Sequence, residues 1–156
     1  LWFTPDGDEI YLSTKDYKLQ RFSLEKLEGL PNRFKSGTSL VVSADWSADG
    51  RYLATGGFDK LIRIWDLQTG ENISTLLGHT NSVSSLSFSK NGSRLVSSQR
   101  GDTIRIWDWK NKREVMNVVE PDSACAYVGF STLDGQLIFG SPEKGIKILD
   151  GRPLPE

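Results

Sequence analysis

The side chains best suited to chemistry are few, and their spacing does not bring them together. The one histidine, His79, and the one cysteine, Cys125, lie in different parts of the chain. A thiol nucleophile needs a base beside it, and Cys125 sits instead in the apolar run Ala124-Cys125-Ala126-Tyr127-Val128, as a small buried hydrophobe does. A lone His with no second His or Cys at ligand spacing is a poor metal site. Asp6, Asp49 and Asp134 are each followed by Gly at equivalent positions, and that repetition argues for a turn role over a general acid or base. No Gly-x-Ser-x-Gly elbow, phosphate-cradling loop or His-Glu-x-x-His occurs. The residues therefore predict no catalytic, metal or cofactor site and no enzyme.

Recognition chemistry remains, and it depends on the elements that position it. Phe3, Trp46, Phe88 and Phe130 are spaced 43, 42 and 42 residues apart, and Phe22, Trp65, Trp107 and Leu149 follow each of them by 19. A period of about 40–45 residues built from short strands is the mark of a propeller blade. Within one period, Val83, Leu86 and Phe88 mark a first strand, Ser89-Lys90-Asn91-Gly92 a turn, and 94–98 a second strand. Thr103-Ile104-Arg105-Ile106-Trp107 alternates as a third strand, and 114–119 reads as a fourth. The preceding period repeats this order from Trp46 to Leu77. A helical period is absent apart from a weak pattern at Leu24 to Leu30. The fold class expected is all-β: a propeller segment of about four blades, two complete and two partial, in an incomplete ring. The blade units are 1–37, 38–80, 81–121 and 122–156, with three, four, four and three strands.

The letters of the central units resemble the WD-repeat β-propeller family. Gly78-His79 and Trp107-Asp108 stand in the third unit, and Trp65-Asp66 ends the third strand of the second. The resemblance implies a buried hydrogen-bond chain of His, Ser or Thr, Asp and Trp. His79, Ser97 and Trp107 fit it in the third unit, where Gly101 occupies the Asp slot and Asp102 comes one residue later. Thr55, Asp59 and Trp65 fit it in the second, where Gly37 stands in the His slot. Both chains read as incomplete. The outer units, with Leu12, Asp16 and Phe22 or Pro121, Phe139, Glu143 and Leu149 in these slots, are expected to depend on apolar packing.

The function implied is a non-catalytic protein-protein interaction scaffold that binds a peptide or protein through its loop faces. The alternative is a regulatory propeller segment of a larger enzyme or signalling protein. The turns between second and third strands offer Lys15, Phe58, Arg100 and Pro142, and the inter-unit loop offers Thr80 and Asn81. Phe58 and Arg100 lead the partner-binding candidates, followed by Lys15 and Asn81, because aromatic and Arg side chains are enriched at binding hot spots. Trp109, just after the Trp-Asp pair, is expected to turn back into its blade.

The 19 basic and 20 acidic side chains leave a net charge of −1. This balance argues against nucleic acid or an anionic membrane as a partner. With one cysteine and no long apolar run, the expected compartment is the cytoplasm, or the nucleus in a eukaryote. The opening on Leu1 and the half-length array predict a piece of a longer polypeptide, or a chain whose open ends self-associate or recruit the remaining blades of the same propeller.

Overall fold

The computed structural model describes residues 1–14, 19–31, 34, 41–101, 103–119, 127–131, 136–141 and 145–149. The sequence candidates Lys15, Asp16, Gly37, Asp102, Pro121, Cys125, Asp134, Pro142 and Glu143 lie outside them. Among the described residues fifteen strands form four antiparallel sheets, each with its strands in sequence order. The first holds β1 (Trp2–Phe3), β2 (Glu9–Ser13), β3 (Leu19–Ser23) and β4 (Glu28–Leu30). The second holds β5 (Val41–Trp46), β6 (Tyr52–Gly57), β7 (Ile62–Asp66) and β8 (Glu71–Leu76). The third holds β9 (Val83–Phe88), β10 (Leu95–Gln99), β11 (Thr103–Asp108) and β12 (Arg113–Val119). The fourth holds β13 (Tyr127–Phe130), β14 (Leu137–Ser141) and β15 (Gly145–Leu149). The first sheet thus has four strands where three were expected, because Trp2 and Phe3 pair with Tyr11 and Ile10 as a two-residue opening strand.

Each periodic landmark has a fixed place. Phe3, Trp46, Phe88 and Phe130 end the first strands, and Phe22, Trp65, Trp107 and Leu149 lie at or near the ends of the third. The turns repeat as well. Gly7, Gly50 and Gly92 all take positive φ, 79°, 68° and 67°, in the turn between first and second strands. Asp6 Oδ1 accepts from Thr4 Oγ1 and the Asp8 amide, and Asp49 Oδ1 from Ser47 Oγ and the Arg51 amide. Asn91 does the same for Ser89 and Ser93. These carboxylates build turns, as their position beside Gly implies. The weak helical pattern at 24–30 does not become a helix. Leu27 takes φ 53° in a turn, at the position where the next sheets have Gly70 and Lys112, also at positive φ, and a right-handed helix cannot pass through that conformation.

The core lies between sheets. Tyr11, Leu19, Trp46, Leu53 and Trp65 fill the junction of sheets one and two. Ile62, Ile64, Val83, Leu86, Phe88 and Trp109 fill that of sheets two and three, and Val96, Ile104, Val128 and Phe139 that of sheets three and four. The first strands β5, β9 and β13 pack successively against one another, while among the described residues no strong packing pair joins the first and last sheets, so the ring is open. Polar ties cross each junction: Ser13 Oγ donates to Val41 O (2.8 Å), Ser74 Oγ to Trp109 O (3.2 Å), the Phe88 amide to Asp45 Oδ2 (2.6 Å), and the Val128 amide to Ser85 Oγ (3.2 Å). Gly56 has no room for a side chain, since a Cβ there would lie 2.6 Å from Val83 Cγ1.

Candidate partner-binding face and its hydrogen-bond scaffold

The antiparallel order places the turns between second and third strands at one end of every sheet, together with the loops that enter the next sheet. Phe58 and Arg100 occupy equivalent positions in two such turns, 42 residues apart, and both are exposed, Phe58 by 46%. Arg100 is held by its backbone: its amide donates to Ser82 O (2.8 Å), and its carbonyl accepts from Asn81 Nδ2 (2.8 Å). Asn81 Oδ1 in turn accepts from the Ser82 amide (2.8 Å). The Asn81 amide group therefore ties the inter-sheet loop to the Arg100 turn and fixes where the guanidinium starts. Lys15, the fourth candidate for this face, lies outside the described residues.

Beneath this loop the third sheet carries a continuous buried relay. Trp107 Nε1 donates to Ser97 Oγ (2.8 Å), and Ser97 Oγ lies 2.6 Å from His79 Nε2. His79 Nδ1 lies 3.1 Å from Gln99 Oε1, which also accepts from the Thr80 amide (3.0 Å). A backbone amide can only donate, so the Gln99 atom facing it is the carbonyl oxygen, and His79 Nδ1 must carry the proton. His79 Nε2 then accepts from the Ser97 hydroxyl, which itself accepts from Trp107. Every donor in the relay has an acceptor. Burial pushes the His79 pKa down to about 4, aided by the nearby Arg105 cation and opposed by Gln99 and Glu114. The imidazole is thus a neutral structural link that fixes the loop at Thr80 and Asn81. The relay that read as incomplete is closed by Gln99, a residue the sequence reading passed over. Gly78 must come before it: its φ is 146°, and a Cβ would lie 3.2 Å from Arg105 Nη1 and 3.3 Å from Trp107 Cη2.

The second sheet keeps only part of the relay. Trp65 Nε1 donates to Thr55 Oγ1 (2.8 Å), whereas Asp59 turns away to Arg63 (2.5 Å) and to the Leu61 amide (3.3 Å). Thr55 and Trp65 are brought together; Asp59 serves its own turn. In the third sheet Gly101 replaces that Asp, so the equivalent arginine, Arg105, pairs with Glu114 on β12 instead. The 42-residue offset shows the exchange: Gly37 and Gly57 stand where His79 and Gln99 stand one unit later. Imidazole and acceptor appear together or not at all. Trp109 turns inward as expected, with its ring against Tyr52 and Phe88 and Nε1 donating to Gly92 O (3.0 Å).

Comparison with known proteins agrees with this geometry. Residues 30–66 and 70–108 match the family model described as WD domain, G-beta repeat. Two solved propellers superimpose on 94% of the chain at 26% identity. One is described as the crystal structure of RRP9 WD40 repeats, with a TM-score of 0.71, and the other as the structure of U3-55K, with a TM-score of 0.73. The chain belongs to the WD-repeat β-propeller family. It spans 49% and 50% of those two WD-repeat chains. Human U3 small nucleolar RNA-interacting protein 2 is 36% identical over 93 residues, which cover 53% of this chain and 20% of the relative. The U3 snoRNP-associated protein-like YAO of Arabidopsis thaliana is 46% identical over 61 residues, covering 39% and 12%. These WD-repeat relatives overturn the expectation that nucleic acid has no place among the partners, since they are named for a small nucleolar RNA and its particle. Net charge is a sum over the whole molecule, and a contact with a ribonucleoprotein needs only a few local groups.

Proposed function

We propose that this chain is a non-catalytic scaffold of a ribonucleoprotein particle. In this reading it uses the end of the propeller that carries Phe58 and Arg100 to hold a protein-RNA assembly in a nucleolar rather than cytoplasmic setting. The observation that carries the proposal is the similarity to U3 small nucleolar RNA-interacting protein 2 over 93 residues, together with the match to the WD-repeat family model. The geometry supports it physically. Rigid sheets present Phe58 and Arg100 at a fixed separation, and an aromatic face with a guanidinium stacks on bases and reaches phosphates as readily as it docks on protein. Lys60, at φ 67° in the Phe58 turn, adds a second cation to that end. Asn81 contributes by holding the Arg100 turn, and Lys15 is the residue equivalent to Phe58 by sequence spacing in the first unit.

The units 1–37, 38–80, 81–121 and 122–156 are the blades of this scaffold in the same proposal. The fourth sheet exposes Tyr127 and Ile146 by 70% and 77% at an apolar hollow of about 510 Å³, and Ile148 by 58% on the same strand as Ile146. In a chain spanning half of the solved propellers, that face is read as the surface on which another blade stacks. The test is immunoprecipitation of the tagged protein from nuclear extract, with the U3 RNA recovered read by reverse transcription. Phe58→Ala combined with Arg100→Ala is expected to lower recovery at least ~10-fold, equivalent to about 1.4 kcal/mol, with the thermal transition unchanged. Undiminished recovery would remove this face from the proposal.

A further inference from the structure

The turns between first and second strands and between third and fourth strands lie together at the end of each sheet opposite Phe58 and Arg100. In the third sheet the later of these turns reads Lys110-Asn111-Lys112-Arg113. The equivalent residues are Gln68-Thr69-Gly70-Glu71 in the second sheet and Glu25-Lys26-Leu27-Glu28 in the first, so three cations are collected in one turn where its neighbours carry none or one. The backbone of the turn is shared: Leu27, Gly70 and Lys112 all take positive φ, 53°, 73° and 54°.

The fold holds these cations in place. Asp108, opposite Arg113 on the neighbouring strand, accepts from the Asn111 amide (3.2 Å) and from Asn111 Nδ2 (3.0 Å), which shapes the turn. Arg94, its side chain 39% exposed, reaches the same carboxylate at 3.6 Å from just before β10. Asp108 itself is buried, and the bonds from Asn111, with the charges of Arg94 and Arg113, keep its carboxyl below the usual carboxylate range. Lys110 Nζ lies 5.4 Å over the Trp109 ring, and across the sheet junction the Arg51 guanidinium lies 5.1 Å over Tyr52, the two rings being 5.0 Å apart. Cation-π attraction thus steers both side chains toward this end. Lys110, Lys112 and Arg113 are exposed, and among the described residues none of the three forms an ion pair. No large apolar side chain is exposed beside them among the described residues, since Phe88 and Trp109 are buried. A protein partner is anchored by such side chains, whereas a nucleic-acid backbone is held by cations.

We propose that this turn is a phosphate-binding site for an RNA backbone, in which Lys110, Lys112 and Arg113, supported by Arg94, contact phosphates without reading bases. It goes beyond the Phe58 and Arg100 face, which lies at the other end of the strands, and needs no contact from it.

The test titrates the whole chain into fluorescein-labelled oligouridine and reads anisotropy, for the parent and for a variant combining Lys110→Gln, Lys112→Gly and Arg113→Glu. These substitutions carry the second sheet's residues into an equivalent turn, with Gly at the positive φ, so the thermal transition is expected to stay in place. The parent is expected to bind with a Kd on the order of 10 μM. The variant is expected to bind at least ~10-fold more weakly, with a dependence of log Kd on log salt shallower by about 2 for the cations removed. Lys112→Gly alone, which also relieves the backbone, is expected to weaken binding several-fold. The same losses are expected in a Phe58→Ala, Arg100→Ala background, which separates this site from the other face. Lys26→Gln, in the equivalent turn of the first sheet, is expected to leave binding unchanged. Undiminished binding by the variants, an equal loss in Lys26→Gln, losses that vanish in the Phe58→Ala, Arg100→Ala background, or polyglutamate bound as tightly as oligouridine would overturn the proposal.

Discussion

The second and third sheets share strand lengths, register and the Trp-Asp ending, yet they satisfy their buried polar groups differently. In the third, four side chains form a directed relay that reaches the loop at Thr80. In the second, a Trp-Thr pair stands alone and the acid meant for the relay serves its own turn. The hydrogen-bond chain is thus not what makes a blade. Packing between sheets does that, and the relay adds precision at the loop end, where the proposed binding face lies.

The strongest way to break the comparison is to remove the centre of the relay. Ser97→Ala leaves both Trp107 Nε1 and His79 Nε2 unpaired in the interior, and urea denaturation is expected to show a loss of about 3–4 kcal/mol, at about 1–3 per buried group. An effect no larger than that of Thr55→Val would show that the relay carries no more than the bare pair.

The pH dependence sharpens the same point. The His79 pKa is depressed from 6.5 to about 4 in the fold. Between those values the unfolded chain binds a proton that the native state does not, so stability is fully present above pH 6.5 and falls as pH drops toward 4. The change amounts to roughly 3 kcal/mol. His79 is the one histidine, so the difference between the parent protein and His79→Ala across that window isolates it. A parallel pair of pH curves would contradict the neutral relay.

The junctions give a smaller test. Trp109→Leu gives the junction of sheets two and three the residue that stands one repeat earlier, Leu67, forfeiting the Tyr52 and Phe88 ring contacts and the bond to Gly92, at an expected ~2 kcal/mol. Thr55→Val removes one acceptor from Trp65 while keeping the side-chain shape, and about 1 kcal/mol is expected in the same denaturation assay.

Much of this architecture was legible because repetition is a one-dimensional signal. The 42-residue interval places Phe130 at the end of β13 and Leu149 in the third strand of a unit that has lost its Trp-Asp. It also located Phe58 and Arg100 in equivalent turns. The same offset applied at Gly57 and Gln99 points to the acceptor for His79, which lies at the end of the strand and not in the turn where the family pattern puts an Asp. The nucleic-acid expectation failed for a different reason: composition averages charge over the surface, and recognition does not.

The sequence by itself determined the unit, its strands and its turns, because strand periodicity and the Gly turns at positive φ are set by residues close together along the chain. Only the tertiary structure decided the direction of the His79 tautomer, the pairing of Arg105 with Glu114 once Gly101 withdrew, and the meeting of the Tyr52 and Trp109 rings beneath Arg51 and Lys110. Each of these depends on which atoms of separate strands come within hydrogen-bond or contact distance, and that is set by how one sheet packs on the next.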